Sequence, residues 1–349
     1  MKPVVAVVGA SGAVGQEMLA VLEQRRLPMA QLRLFGSARS AGATVRCLGR
    51  EHTIAELGER SLDGVDVALF SAGATVSRRF APPAAAAGTL VVDNSSAFRM
   101  EPGVPLIVPE VNGDRLPALA RGRGAILPVA NCSAIILVMG LTALRRAFGL
   151  RRIVVATYQA ASGAGAQAME ELRSQTADVL AGRAPTPRIF HEPYAFNLFS
   201  HNAPVDPDTG LNGEEAKLIA EARKMWDDPS LGISATCVRV PVMRAHTQAV
   251  NLTLARPATL AQVRAAYEGF PGVRIVDDRA ANRFPTPLKA SGQDDTLVGR
   301  LREDPSQLPA GWRPGGPTVG YDLLIAGDQL RKGAALTAVQ IAEAAMARW

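Results

Sequence analysis

The stretch that decides the fold is Val4-Val5-Ala6-Val7-Val8-Gly9-Ala10-Ser11-Gly12-Ala13-Val14-Gly15 together with the residues it leads into, Gln16 to Arg26. A β-branched run ends at a glycine, and beyond the glycines Met18, Leu19 and Leu22 recur on one helical face, so the segment reads as strand, tight turn and helix. Glycines let a backbone come close to a phosphate, and the first N–H groups and positive end of the following helix attract one. The GxxGxxG spacing by itself fits a plain turn as well as a phosphate cradle; the strand before it and the helix after it favour the cradle.

Outward from there, Leu32 to Phe35, Val65 to Phe70, Leu90 to Asp93, Leu106 to Val108 and Ala125 to Leu127 continue a series of short apolar runs. The expected fold is α/β: a Rossmann-like, doubly wound parallel sheet with its ligand beyond the C-terminal strand ends. After the second run the chain reads Phe35-Gly36-Ser37-Ala38-Arg39-Ser40-Ala41-Gly42. An NAD site usually carries an acid here. This chain instead has a guanidinium flanked by hydroxyls at Ser37, Arg39 and Ser40, which suits the 2′-phosphate of NADP.

At Cys132 the pattern changes. A helix from Ser133 to about Arg146 leads to strands at Ile153 to Tyr158, Ile233 to Val240 and Ala249 to Ala255, with helices expected at Gly163 to Leu180 and Gly213 to Lys224. Longer strands separated by proline-rich stretches fit a mixed-sheet α+β domain. We therefore expect a first domain over residues 1–131, completed by a C-terminal helix at 330–349 packing back on it, and a second over 132–329.

The 349 residues, 48% hydrophobic, suffice for two cores. The apolar N-terminal run is too short for a leader or a membrane span, which points to the cytoplasm and no membrane. Three scattered cysteines give neither a disulfide framework nor a metal spacing. The net charge of +6 is spread along the chain, which argues against nucleic acid and suits anionic small molecules.

Cys132, in Asn131-Cys132-Ser133, falls at a helix start, where the dipole favours a thiolate. That position fits a nucleophile and an inert buried thiol equally. Cys47 and Cys237 lack the setting and read as structural. His246, just past a strand and downstream of Arg239 and Arg244, is unremarkable alone, but beside a thiol a neutral imidazole is a base and later an acid.

Together these motifs resemble the aspartate-semialdehyde dehydrogenase family, from residue 4 to 345: Gly9 to Gly15, Ser37 to Gly42, Asp93-Asn94-Ser95-Ser96-Ala97-Phe98-Arg99, Asn131-Cys132-Ser133, Thr157 to Gly165, Arg239 to His246, and Gly327-Asp328-Gln329-Leu330-Arg331-Lys332-Gly333. The resemblance implies a homodimer or homotetramer that reduces L-aspartyl 4-phosphate to L-aspartate 4-semialdehyde, reversibly with inorganic phosphate, for lysine, threonine and methionine synthesis. It makes Cys132 the acyl carrier, Gln159 the residue orienting substrate at the thiol and His246 the acid/base. Arg99 and Lys217 would bind phosphate, Arg239 the substrate carboxylate and Glu214 its ammonium. Ser11, Gly12, Ala13 and Val14 would contact the cofactor phosphates, Ser37, Arg39 and Ser40 the 2′-phosphate, and Ser162, Gly163 and Gln329 the nicotinamide end. The chain departs from the family at Val129-Ala130 and at Gln329, where Asn-Pro and Asn are usual. An N-acetylglutamyl-phosphate reductase is the nearest rival, disfavoured by Glu214; a non-catalytic NADP-binding paralogue is disfavoured by the intact set of reactive residues.

Overall fold

The computed structural model describes residues 2–349. The chain divides into two compact units, Met1–Asn131 with Gly333–Trp349, and Cys132–Lys332.

The first unit is built on a seven-stranded sheet: β1 (Val4–Val8), β2 (Gln31–Gly36), β3 (Thr44–Cys47), β4 (Arg50–Glu56), β5 (Val67–Phe70), β6 (Leu90–Asp93) and β7 (Ala125–Pro128). Its order is β3-β4-β2-β1-β5-β6-β7, parallel throughout except for the β3–β4 hairpin. The chain leaves β1 towards β2 on one side and returns as β5 on the other, so the strand order reverses beside the turn after β1, where doubly wound sheets bind ligands. The central strands β5 and β6 are buried along their whole length, as expected of strands covered on both faces.

The hairpin was not legible as strands because its residues are mostly polar and half-exposed; its turn, Leu48-Gly49, has φ of 53° and 73°, both left-handed. Leu106 to Val108, expected as a strand, is buried but pairs with no neighbour. Asn112 takes the place of a ladder: its Oδ1 accepts the Val108 N–H at 2.8 Å and its Nδ2 donates to the Leu106 carbonyl at 2.9 Å. The C-terminal helix Leu336–Met346 packs on the Ala13–Arg25 helix, with Arg25 paired to Glu343 at 2.6 Å.

The second unit is a mixed sheet of β8 (Leu150–Gln159), β9 (Phe199–Ser200), β10 (Gly232–Arg239), β11 (His246–Ala258), β12 (Val273–Ile275), β13 (Thr296–Glu303) and β14 (Thr318–Gly327), in the order β12-β13-β14-β11-β8-β10-β9. The helix Cys132–Phe148 is buried from Ser133 to Leu144, on every side, which is why it carries no polar face. Burial of each of its large aliphatic side chains contributes about 1.5–3 kcal/mol. The helix packs tightly on Gly327, where a Cβ would sit 2.8 Å from Ile136 Cγ1. The expected helix from Gly163 is broken: a 3-10 turn over Ala161–Ala164 ends at Gly165, whose φ of 95° restarts the chain as the helix Ala166–Leu180.

The register of this sheet sets up the chemistry. β8 and β10 run parallel with Gln159 beside Arg239 at their ends. β11 runs antiparallel to β8, with Thr247 opposite Tyr158 and His246 opposite Gly327 of β14. Gln159, Arg239 and His246 therefore meet at one end of the neighbouring strands β8, β10 and β11.

Candidate active site

In the first unit the turn after β1 opens a cavity of ≈ 400 Å³ lined by Gly9, Ser11, Gly12, Gly36, Ser37 and Ser71, among others. Gly9 has φ +88°, and a Cβ there would lie 2.8 Å from the Ser71 carbonyl oxygen; a Cβ on Gly15 would collide with the Gly9 carbonyl oxygen. The helix starting at Ala13 has no side-chain cap, which leaves its first N–H groups for an anion. Glycines that cannot be replaced, a bare helix start and a cleft at the switch point fit a dinucleotide. Ser11 and Gly12 face the cleft, and Ala13 and Val14 begin the helix. Ser37 lines it, Arg39 follows on the exposed turn, and Ser40 braces that turn by donating to the Ser37 carbonyl at 3.1 Å. Phe80 and Arg79, stacked at 4.8 Å, and Glu56 complete the wall. None of these three stands out in the sequence, because Glu56 ends a strand and Arg79 and Phe80 lie within a helix remote from the glycine turn.

Arg99 is buried in the same unit, with Nε donating to the Val129 carbonyl and Nη2 to the Asn94 carbonyl, both at 2.8 Å. The loop that carries it is pinned by buried Asp93, which accepts from Ser77 Oγ and from Ser95 N–H and Oγ.

In the second unit Cys132 opens its helix, and its Sγ lies 3.6 Å from His246 Nε2. The Ala160 N–H donates to His246 Nδ1 at 3.0 Å. A nitrogen that accepts carries no proton, so the neutral ring bears its hydrogen on Nε2, facing the sulfur. His246 is fully buried, and burial, then the charges of Arg239 and His201, hold its pKa well below the usual 6.5. Cys132 is partly exposed, whereas Cys47 and Cys237 are buried, with burial pushing their thiols up to about 11 and about 12.

Arg239, 4% exposed, donates from Nε to Asn202 Oδ1 and from Nη1 to the Ala160 carbonyl, both at 3.1 Å, and lies 5.7 Å from the Phe190 ring centre. With Nε occupied, the end of the guanidinium is the face left for a carboxylate. Gln159 Nε2 is 3.4 Å from Glu214 Oε1, and Glu214 Oε2 is 3.8 Å from Lys217 Nζ. Asn212 caps their helix through a capping box with Glu215. The sequence suggested no role for Ala160, Asn202, Phe190 or His201: Ala160 acts through its backbone, and the other three sit in stretches without periodicity. Burial, then Arg239, lowers His201 to about 4. Phe190 and the buried Tyr194 are held by a loop whose N–H groups bond to Glu171 and Gln175, so the cavity beside those two side chains is walled by groups already engaged.

Ser162 and Gly163 lie on the turn against His246. A Cβ on Gly163 would sit 3.1 Å from His246 Nε2 and 3.2 Å from Arg239 Nη1. Gln329 donates to Ser162 Oγ and accepts the Ala245 N–H at 2.8 Å.

A cleft that fits a dinucleotide in one unit, and a thiol, imidazole and buried guanidinium gathered in the other, are the groups that a nicotinamide-linked dehydrogenase working through a thiol requires. Residues 4–118 match the NAD-binding domain of semialdehyde dehydrogenases, and residues 141–332 match their dimerisation domain. Aspartate-semialdehyde dehydrogenases from a Synechocystis strain and from Prochlorococcus marinus are 46% and 42% identical, over 97% and 98% of this chain and 96% of each relative. The crystal structure of aspartate semialdehyde dehydrogenase II from Vibrio cholerae, solved as a complex with ASA, matches with a TM-score of 0.92 at 38% identity over 99% of both chains. The chain belongs to the aspartate-semialdehyde dehydrogenase family. It is accordingly an oxidoreductase of amino-acid biosynthesis with an NAD(P)-binding domain.

Proposed function

We propose that the chain interconverts L-aspartyl 4-phosphate and L-aspartate 4-semialdehyde through a thioester on Cys132, with NADP as cofactor. The observation that carries this reading is the 3.6 Å approach of Cys132 Sγ to His246 Nε2 beside the strand ends bearing Gln159 and Arg239. Support for the substrate comes from the Vibrio cholerae relative solved with ASA.

Arg239 holds the α-carboxylate by its guanidinium end, and Glu214 the ammonium, which favours a free amine over an acetylated one. Arg99 and Lys217 bind phosphate. Gln159 orients the acyl group at the thiol. The Cys132 thiolate attacks the acyl carbon, phosphate leaves with a proton from solvent, and a thioester remains. When bound, NADPH supplies the hydride that reduces the thioester carbonyl. Collapse of the resulting adduct frees the semialdehyde and returns the thiolate.

Sequence reading made His246 first the thiol's base. With Nδ1 committed to Ala160, the neutral ring has no lone pair towards sulfur. We therefore assign Nε2–H donation to the thiolate and to the oxygen of the tetrahedral adduct. The thiolate returns in each cycle, so no net proton has to cross the ring.

Ser11, Gly12, Ala13 and Val14 hold the cofactor phosphates; Ser37, Arg39 and Ser40 its 2′-phosphate; Ser162 and Gly163 face the nicotinamide end. The enzyme works as a homodimer or homotetramer in the cytoplasm, supplying lysine, threonine and methionine synthesis. Aspartate semialdehyde plus phosphate should reduce NADP, followed by absorbance of the reduced cofactor; no signal with NADP or NAD overturns the proposal.

A further inference from the structure

Ala245, the residue before His246, is buried and has φ +71°, in the left-handed region. For a residue with a Cβ that conformation lowers the population about five- to thirtyfold relative to its preferred ones, so something must hold it. The neighbouring Asp328-Gln329 pair does. Asp328 Oδ2 accepts from Arg244 Nε at 2.7 Å, and Gln329 Oε1 accepts the Ala245 N–H at 2.8 Å. Asp328 is itself fixed by the N–H groups of Gly292, Leu330 and Arg331.

The other end of the same amide donates to Ser162 Oγ. Ser162 lies in the turn that begins after Ala160, whose N–H sets the His246 tautomer, and contains Gly163, against which the ring packs. The turn also leans on the same strand entry, with Ala161 N–H on the Val242 carbonyl at 2.8 Å and Ser162 N–H on Met243 at 3.1 Å. Gln329 is 2% exposed and bonded at both its oxygen and its nitrogen.

We infer that Gln329 is a positioning residue, which clamps the left-handed Ala245 to the Ser162 turn and so fixes the His246 ring at the Cys132 sulfur, in place of contacting the cofactor. The inference rests on the thioester reading above.

The test compares Gln329→Met, isosteric but without hydrogen bonds, in the wild-type and in the Ala245→Gly background. Glycine adopts positive φ at no steric cost, so it needs no clamp there. In the wild-type background kcat should fall about ten- to a hundredfold, as for a misplaced catalytic group, with the KM for NADP changed less than about twofold. Alkylation of Cys132 by iodoacetamide, measured without cofactor, should slow in parallel. In the Ala245→Gly background both losses should shrink to a few-fold. Equal losses in the two backgrounds, or a raised KM for NADP with kcat retained, would overturn the clamp. Wild-type turnover in the same series tests the parent reading separately.

Discussion

Replacing Arg239 by lysine keeps a positive charge and removes a geometry. The guanidinium is held at three points, Asn202 Oδ1 and the Ala160 carbonyl at 3.1 Å each and the Phe190 ring at 5.7 Å, and its free end offers two parallel N–H groups. An ammonium makes one point contact with a carboxylate and cannot also reach Asn202 from the Nε position. Loss of one charge-assisted hydrogen bond costs about 1.5–3 kcal/mol, or about 10- to 140-fold in kcat/KM at 1.4 kcal/mol per decade. Steady-state kinetics in the oxidative direction measure it: kcat/KM for the semialdehyde should fall in that range, while the KM for phosphate and an equilibrium NADP titration stay within about twofold. A variant with near-normal kcat/KM, or one that loses NADP binding instead, would refute the carboxylate assignment.

Gly163→Ala places a methyl 3.1 Å from His246 Nε2 and 3.2 Å from Arg239 Nη1 at a position without positive φ, so kcat/KM should drop about tenfold or more while the melting temperature moves by only a few degrees. Arg39→Ala should weaken NADP by about 1.5–3 kcal/mol more than NAD; titrations showing equal losses would mean that the residue only shapes its turn. His201 and His246 both titrate below the ordinary value of 6.5, so between there and about 4 the unfolded chain binds more protons and stability is lost as pH falls. Denaturation from pH 7 to 4.5 should show this slope, and His201→Asn should flatten it by up to about 1.4 kcal/mol per pH unit; an unchanged slope would contradict the buried neutral imidazole.

What could be read from the sequence was what local chemistry writes into neighbouring residues. β1, its glycine turn and the following helix were legible because apolar periodicity and the need for bare backbone act within a dozen residues. Cys132 at its helix start and His246 just past a strand were noticeable because each occupies an element boundary, whereas Arg239 was singled out only through the family resemblance. The β3–β4 hairpin escaped because its solvated faces leave little apolar signal, and Leu106 to Val108 misled because the amide of Asn112 bonds the backbone that a neighbouring strand would have bonded. The supporting groups escaped for a different reason. The Ala160 N–H, the Asn202 amide and the left-handed Ala245 act through backbone atoms and long-range contacts, which residue type does not announce. Gln329 was visible as a residue, yet its engagement with Ser162 and Ala245, 167 and 84 residues away in the chain, was not.

The central claim is a covalent acyl-enzyme on Cys132, and it can be caught where phosphate is absent. Mixing the enzyme with aspartate semialdehyde and NADP without phosphate should give a burst of reduced cofactor equal to the number of active sites. The Cys132 peptide, isolated from an acid quench, should carry the mass of one aspartyl group; phosphate should discharge it, and Cys132→Ala should show neither burst nor adduct. A burst that survives in Cys132→Ala, or an acyl group found on Cys47 or Cys237, would contradict the account.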